Sequence, residues 1–226
     1  KDNLTMTLKR LFDIIFSAIV IIVFSPLGLV IVLILLFTGE GEVFYKQSRI
    51  GQYGEQFGIY KFVTMIKDSP NIGAGDITLK EDFRVLPFGK ILRKLKLNEF
   101  PQFINVLLGD MSLVGPRPLV KNQYDMIPAN LKEKINYLKP GITGIGSIIF
   151  RDEERYLQEN EDNSNNFYKM EIVPFKGTLE CWYAENASFI VDILVILTTI
   201  IMVVLPEINL HRYFFRKLPQ HPLFNP

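Results

Sequence analysis

The chain has 226 residues, with 25 basic against 24 acidic side chains and a net charge of +1 at pH 7. That balance excludes a polybasic nucleic-acid binder, and no nucleic-acid partner is expected. A lone cysteine, Cys181, excludes an intrachain disulfide, and two histidines remote from any acidic cluster argue against zinc.

The first element is apolar. Lys9 and Arg10 precede residues 14–37, which carry no charge. A straight helix of that length measures about 36 Å, enough to cross a ~30 Å hydrocarbon core. Ser25-Pro26 stands almost at its middle, with Gly28 just beyond. Proline removes an amide donor and clashes with the preceding turn, so it kinks or breaks a helix. The two halves are each roughly 16 Å long, and neither spans alone. Two arrangements are open: a kinked spanning helix, which the frequency of proline in such helices favours, or a sharp break that returns the chain to its starting face. Backbone groups freed at the break need partners, and the Ser25 hydroxyl is a candidate. Thr38-Gly39-Glu40 offers no small-x-small cleavage site, so a cleaved signal peptide is not expected. Lys9 and Arg10 place the N-terminus in the cytoplasm.

Residues 43–47 and 57–62 predict short strands around the turn Gly51-Gln52-Tyr53-Gly54. Residues 68–80, rich in Gly, Asp and Ser, predict a loop. A helix is expected over 88–95 with Lys90, Arg93 and Lys94 on one face. Pro101 marks the start of another that runs through 102–108 to Gly109. A further short helix over 132–138 ends at Lys139-Pro140-Gly141, and 160–166 is a polar loop or helix start. The second apolar run, 189–205, contains Asp192, Thr198 and Thr199. It is marginal for spanning, and a charge inside a membrane helix costs several kcal/mol. It is read as a helix buried in protein or lying at the interface, with a second transmembrane helix as the alternative. His211, Arg212, Arg216 and Lys217 follow it.

Residues with chemical potential are densest from Arg84 to Pro118. Glu99 precedes the helix that Pro101 starts. A carboxylate there can bind Mg²⁺ that bridges a diphosphate, or can merely complement the helix dipole. Arg117 stands between Pro116 and Pro118, whose fixed dihedrals reduce the entropy lost in holding a guanidinium toward phosphate. A surface arginine in a proline turn is the plainer alternative. Gly109 and Gly115 bracket Asp110 and Ser112, either as a tight loop near phosphates or simply as a loop.

Taken together, these strings resemble the bacterial sugar transferase family, and more narrowly its monotopic polyprenyl-phosphate phosphoglycosyl transferases of the PglC type. Lys9-Arg10-Leu11-Phe12-Asp13 resembles the family's entry to its membrane helix, and Ser25-Pro26 matches the break that makes the helix re-entrant. Arg49-Ile50-Gly51, Tyr60-Lys61-Phe62, the string from Gly109 to Pro118, Pro140-Gly141-Ile142-Thr143-Gly144 with Arg151, and Tyr183, Asn186, Ser188 and Asp192 match the later blocks in order. The resemblance reverses the preference at Ser25-Pro26 in favour of the hairpin. It implies an α+β, mainly helical fold. A small cytoplasmic catalytic domain (39–186) would sit on an N-terminal re-entrant helix (1–38), with a C-terminal apolar helix and basic tail (187–226) at the interface of the bacterial inner membrane. It implies transfer of a sugar-1-phosphate from a UDP-sugar to polyprenyl (undecaprenyl) phosphate with release of UMP and use of Mg²⁺, the first membrane step of bacterial glycan assembly (O-antigen, capsule, exopolysaccharide or glycoprotein). Glu99 would bind the metal, while Lys61, Arg93, Arg117 and Arg151 neutralise phosphates. Asp192 would orient an arginine or a metal-bound water, or act as a buried ion-pair partner. A homodimer at the membrane is compatible with this reading.

Two single positions and two blocks depart from the family pattern. Well-studied members carry an Asp-Glu pair in which the Asp attacks the β-phosphate; here the matching residue is Asn98, a poor nucleophile. An engineered Asp→Asn replacement that binds without turnover, a natural branch that transfers directly, or a substitute carboxylate such as Asp110 each account for it. Departures in Gly144–Ser147 and Phe150–Glu154 favour the natural branch. The second single position is Val63, where many members carry Arg after Lys-Phe.

Overall fold

The computed structural model describes residues 3–72, 82–151, 153–159, 164–205, 208, 210–215 and 217–224. Most of the loop expected over 68–80, residues 160–163 of the polar stretch, and Asp152 and Arg216 lie outside them. The described chain is mainly helical, with two small two-stranded sheets. It divides into two compact units: one comprises Lys1–Asp13, Arg49–Phe57 and Gly109–Pro226, the other Ile14–Ser48 and Gly58–Leu108.

Helix α1 (Asn3–Phe37) is long and apolar enough to cross a membrane, and Pro26 stands inside it. Helical residues continue on both sides of Ser25-Pro26 without an intervening loop. Pro26 has no N–H for the carbonyl four residues back, that of Ile22. The Ser25 hydroxyl donates to that oxygen at 2.7 Å, the partner its sequence position suggested. Ile22, Val23 and Leu29 are 70%, 63% and 60% exposed, so much of this apolar surface is not covered by protein.

The unit built on 14–48 and 58–108 packs Ile31 and Leu35, one turn apart on α1, against Phe62 and Leu92. Phe62 belongs to β2 (Gln56–Phe62), which forms a two-stranded sheet with β1 (Phe44–Ile50). Leu92 lies on α2 (Pro87–Lys94). Each such side chain contributes roughly 1.5–3 kcal/mol when fully buried. Helix α3 (Gln102–Leu108) is fixed to β2 by Asn105, which is fully buried. Its Oδ1 accepts the Tyr60 N–H at 2.9 Å and its Nδ2 donates to the Gly58 carbonyl at 2.8 Å, as a neighbouring strand would. The β1–β2 hairpin turns through Gln52–Gly54, as the glycines predicted, and both strands extend a residue or more beyond the expected limits.

In the other unit, β3 (Ser112–Val114) and β4 (Gly141–Thr143) pair in parallel, Ser112 opposite Gly141 and Val114 opposite Thr143. The sequence predicted a loop at β3 and no strand at β4. The glycines permit the approach: a Cβ on Gly115 would stand 2.2 Å from the Lys139 carbonyl oxygen, and one on Gly141 would stand 2.1 Å from the Gly115 nitrogen. Helices α4 (Lys121–Asp125) and α5 (Ala129–Ile135) lie between the strands in sequence. α5 begins three residues earlier than expected, because the Pro128 carbonyl accepts from Lys132 N and starts the helix.

Helices α6 (Ile145–Ile149), α7 (Glu153–Glu159) and α8 (Ser164–Phe167) lead through a π-helical turn (Tyr168–Ile172) into α9 (Val173–Asn186). α9 buries Val173 and Cys181 against Ile127 and Ile135. Helix α10 (Phe189–Val204) is capped by the Ser188 hydroxyl, which accepts from Val191 N. Its 16 residues measure about 24 Å, short of a ~30 Å hydrocarbon core. Asp192, Val195, Thr198 and Met202 face protein, while Ile190, Leu197, Ile200 and Val203 are exposed. Beyond α11 (His211–Phe214), Phe224 stacks on Phe175 at 5.6 Å and meets Phe150 edge-on at 5.0 Å.

Candidate active site

Four of the expected site residues, Lys61, Arg93, Asn98 and Glu99, fall in the unit containing α2 and α3. α2 ends through Leu95 and Lys96, and Lys96 takes a left-handed conformation (φ 58°) that turns the chain sharply. Leu97–Glu99 then make a single 3₁₀ turn, with Phe100 N bonded to the Leu97 carbonyl at 3.1 Å. Pro101 donates no hydrogen bond, but its carbonyl accepts from Ile104 N at 3.0 Å and opens α3 where the sequence predicted. This geometry buries Asn98, leaving it 8% exposed, and keeps Glu99 partly open to solvent. The next residue, Phe100, lies against α1: its ring is 6.1 Å from that of Phe24, and a Cβ on Gly28 would be 3.7 Å from its edge. Glu99 is therefore held one residue from a contact that straddles Ser25-Pro26. Arg93 is half-buried in the last turn of α2, and Lys61 on β2 donates across the hairpin to Gln47 Oε1 at 3.3 Å.

Arg117, Arg151 and Asp192 fall in the other unit. Arg117 is exposed between its two prolines, and Arg49 Nη1 donates to the Pro118 carbonyl at 3.4 Å. Both guanidiniums act on Tyr168, whose phenol is pushed up by burial and by the Glu153 carboxylate, and they oppose that shift. Lys176 is bonded to Glu153 Oε1 at 2.7 Å, and burial pushes its ammonium down against the pull of that partner. Arg117 thus belongs to a charged group with Arg49, Glu153, Tyr168 and Lys176. Nothing in local spacing joins these residues, because the last three come from α7, the π-helical turn and α9. Neighbouring Glu180 is fully enclosed, its Oε2 without a partner, and burial pushes its carboxyl up to about 7 despite a bond from Gly146 N.

Arg151 donates to the carbonyl of Met202 in the last turn of α10, where a cation complements the helix dipole. Asp192 is 3% exposed, and both its oxygens are taken. Oδ2 meets Lys9 Nζ at 2.5 Å, and Oδ1 accepts the Tyr183 hydroxyl at 2.6 Å. The ion-pair alternative for Asp192 is the one the geometry matches. Lys9 also donates to the Val114 carbonyl at 3.2 Å, and Asp13 Oδ1 accepts Leu113 N at 3.1 Å, so the start of α1 is bonded to β3. Lys9 enters the sequence reading as a topology charge and in the string at the entry to the membrane helix, with no partner assigned. Its partner lies 183 residues away, too far for any local signal.

The family model described as bacterial sugar transferase matches residues 4–206. The chain belongs to the bacterial sugar transferase family. Among its relatives, the exopolysaccharide production protein ExoY of Rhizobium meliloti is 31% identical over 214 residues, covering 85% of this chain and 83% of the relative. The uncharacterized sugar transferase EpsL of Bacillus subtilis is 33% identical over 202 residues, covering 89% and 90%. The UDP-N-acetylgalactosamine-undecaprenyl-phosphate N-acetylgalactosaminephosphotransferase of Aeromonas hydrophila is 34% identical over 197 residues; the match covers 85% of this chain but 43% of that longer relative.

Among the described residues this sugar transferase has no cluster of three or more Asp, Glu, His or Cys side chains placed to hold a metal ion. Glu99, partly open to solvent, would supply one oxygen ligand to a Mg²⁺.

Proposed function

We propose that this sugar transferase moves a sugar-1-phosphate from a UDP-sugar to a polyprenyl phosphate such as undecaprenyl phosphate and releases UMP. The Aeromonas relative bears a name for that reaction type. The observation that carries the proposal is Phe100 packed on both sides of Ser25-Pro26 in α1 with Glu99 beside it. A polyprenyl tail stays in lipid and presents its phosphate at the surface, so a carboxylate fixed to the apolar helix meets it there.

In the reaction an oxygen of the carrier phosphate bonds to the β-phosphorus. The bond from that phosphorus to the bridging oxygen breaks, and its electron pair leaves with UMP. Asn98 is neutral and buried, so it supplies no carboxylate nucleophile, and direct attack by the carrier fits this turn. Mg²⁺ held by Glu99 would offset charge on the diphosphate. Lys61, Arg93 and Arg117 serve as phosphate counter-charges, each worth two to three decades in rate, about 10²–10³. Asp192 acts as a positioning residue through Lys9.

The re-entrant arrangement of α1 belongs to this proposal, with both ends on the cytoplasmic face of a bacterial inner membrane. It is supported by Pro26 standing inside the apolar run and by the Ser25 hydroxyl taking the carbonyl that Pro26 leaves open. The exposed apolar face of α10, and Ile91 and Leu95 among Lys90, Lys94 and Lys96, suit the headgroup boundary.

The test is UMP release from a panel of UDP-sugars with undecaprenyl phosphate and Mg²⁺ in lipid. Release is expected with at least one sugar and lost in Glu99→Gln. No release with any sugar overturns the proposal. The buried Asn98 also motivates a second reading, a form that binds without turnover. Release that appears only in Asn98→Asp would select it. Mass added to the wild-type protein by UDP-sugar would refute direct transfer.

A further inference from the structure

Helix α2 is fixed in rotation by two close contacts. At Gly89 a Cβ would stand 2.2 Å from the Thr64 carbonyl oxygen, so the helix backbone lies directly on that residue. The same carbonyl accepts Leu86 N at 2.9 Å, just before the first turn. One turn beyond Gly89, Leu92 is buried against Ile31 and Leu35 of α1. These anchors turn Pro87, Lys90, Ile91, Lys94 and Leu95 outward, at the i, i+3, i+4, i+7, i+8 spacing of one helical face. All five are exposed, Ile91 and Leu95 by more than half. The face is mixed in polarity but not in charge. No acidic side chain occurs between Asp82 and Glu99, while α2 and the turn after it carry Lys90, Arg93, Lys94 and Lys96. The face also stands beside the end of the long apolar helix. Ile31 and Leu35 lie within about 9 Å of Phe37, where the uncharged run of α1 stops. A Cβ on Gly39 would be 2.9 Å from Leu86 Cδ1, at the start of α2.

We propose that this face binds the headgroups of negatively charged phospholipids, so that the protein selects anionic over zwitterionic lipid around it. The inference rests on the membrane seating proposed above and deepens it. Lysines interleaved with bare aliphatic side chains suit the core of a protein interface poorly, because lysine is depleted there. A headgroup layer satisfies both kinds of residue. Ile91 and Leu95 reach the acyl boundary, while the lysine stems lie along them and carry their ammonium groups to phosphate level. Each lysine beside an anionic surface strengthens attachment about fivefold. Salt weakens this attraction by screening. The uncharged run of α1 has no such preference, so α2 is the element that responds to membrane charge.

The experiment puts a reporter on the face itself. Cys181 is buried, so Leu95→Cys supplies a single accessible thiol for an environment-sensitive fluorophore. The full chain is held in nanodiscs of phosphatidylcholine and phosphatidylglycerol, with an acyl-chain quencher carried on one lipid or the other. The ratio of the two quenching efficiencies gives the relative affinity of the face for the two lipids. Emission is expected to move to shorter wavelength as phosphatidylglycerol replaces phosphatidylcholine, and to move back at high salt. Adding Lys90→Gln and Lys94→Gln together removes two fivefold factors, so the preference for phosphatidylglycerol falls by about an order of magnitude. The salt dependence without these changes tests the same point and needs no charge variant. A reporter that stays in water whatever the lipid overturns the proposal, and is the result expected if the face docks a protein instead. Equal quenching by both lipids overturns it too. A chain that leaves nanodiscs of either composition overturns the seating of α1 and this face with it. Failure of the transferase reading looks different. No UMP release from any UDP-sugar, with the anionic preference intact, leaves the face established; UMP release with the reporter in water sinks the face alone.

Discussion

Arg84 and Arg117 come from the same motif-dense stretch, yet they are put to opposite uses. Arg84 is 1% exposed. Its guanidinium is bonded to Asp82 Oδ2 at 2.6 Å and to the carbonyls of Ser69 and Ile72 at 2.7 and 2.8 Å. Its Nε, Nη1 and Nη2 all donate to groups of its own fold. Arg117 is exposed, fixed from behind by Pro116 and Pro118, and set among groups whose proton affinities its charge alters. A guanidinium that has spent its donors on carbonyls holds a loop in place. One held by its backbone keeps its donors for a ligand.

Replacing each arginine in turn separates these uses. Arg84→Met leaves the buried Asp82 carboxylate without its guanidinium partner and the Ile72 carbonyl without the donor from Arg84. The midpoint of thermal unfolding should fall by on the order of 10 °C, and any surviving folded protein should keep its KM. Arg117→Ala should do the reverse. UMP release falls by about 10²–10³ with an unchanged unfolding midpoint, and Arg117→Lys recovers only part, because an ammonium does not reproduce the planar fork. An Arg117→Ala protein that unfolds like Arg84→Met would erase the distinction.

The carboxylates allow a sharper version of the comparison. Asp192 is enclosed but has Lys9 and Tyr183 on its two oxygens, whereas Glu180 is enclosed with one oxygen unpartnered. The Glu180 carboxyl, ordinarily near 4.5, is pushed up to about 7 by burial. The folded state therefore keeps a proton that the unfolded chain gives up. Stability is fully present below about pH 4.5 and falls as pH rises to about 7, by an amount on the order of 3 kcal/mol. Glu180→Gln has nothing to ionise, so its unfolding free energy, followed by denaturant titration at several pH values, should lack that decline. A slope identical to wild type would show that Glu180 is ionised in the folded state.

The sequence disclosed these elements unevenly, for reasons that particular residues make plain. The hairpin turn at Gly51–Gly54 and the start of α3 at Pro101 were legible because glycine and proline act on their own backbone. β3 and β4 were not. Each is three residues long, and what joins them is a glycine-to-glycine approach between Gly115 and Gly141 that has no periodicity to detect. Glu99 was legible as a carboxylate before a helix, but its link to α1 through Phe100 and Phe24 was not, since ring contacts across distant segments leave no local pattern. Lys176, Glu153 and Tyr168 were missed because each is ordinary where it stands and gains meaning only beside Arg117.

The smallest expected effect tests the part of α1 that the sequence did anticipate. The Ile22 carbonyl loses its helical donor to Pro26 and gains the Ser25 hydroxyl at 2.7 Å. Ser25→Ala removes that donor and leaves the carbonyl on an exposed, apolar stretch of helix, where water is scarce if lipid surrounds it. One hydrogen bond is worth about 1 kcal/mol, so the unfolding midpoint in nanodiscs should drop by a few degrees. Pro26→Ala should act in the opposite sense on the local bond, because an alanine N–H can reach the Ile22 carbonyl directly. Ser25→Ala made on top of Pro26→Ala should then cost almost nothing, and this non-additivity is the diagnostic result. If the two substitutions add, the hydroxyl is not standing in for the missing amide, and the break at Pro26 is satisfied by something other than Ser25.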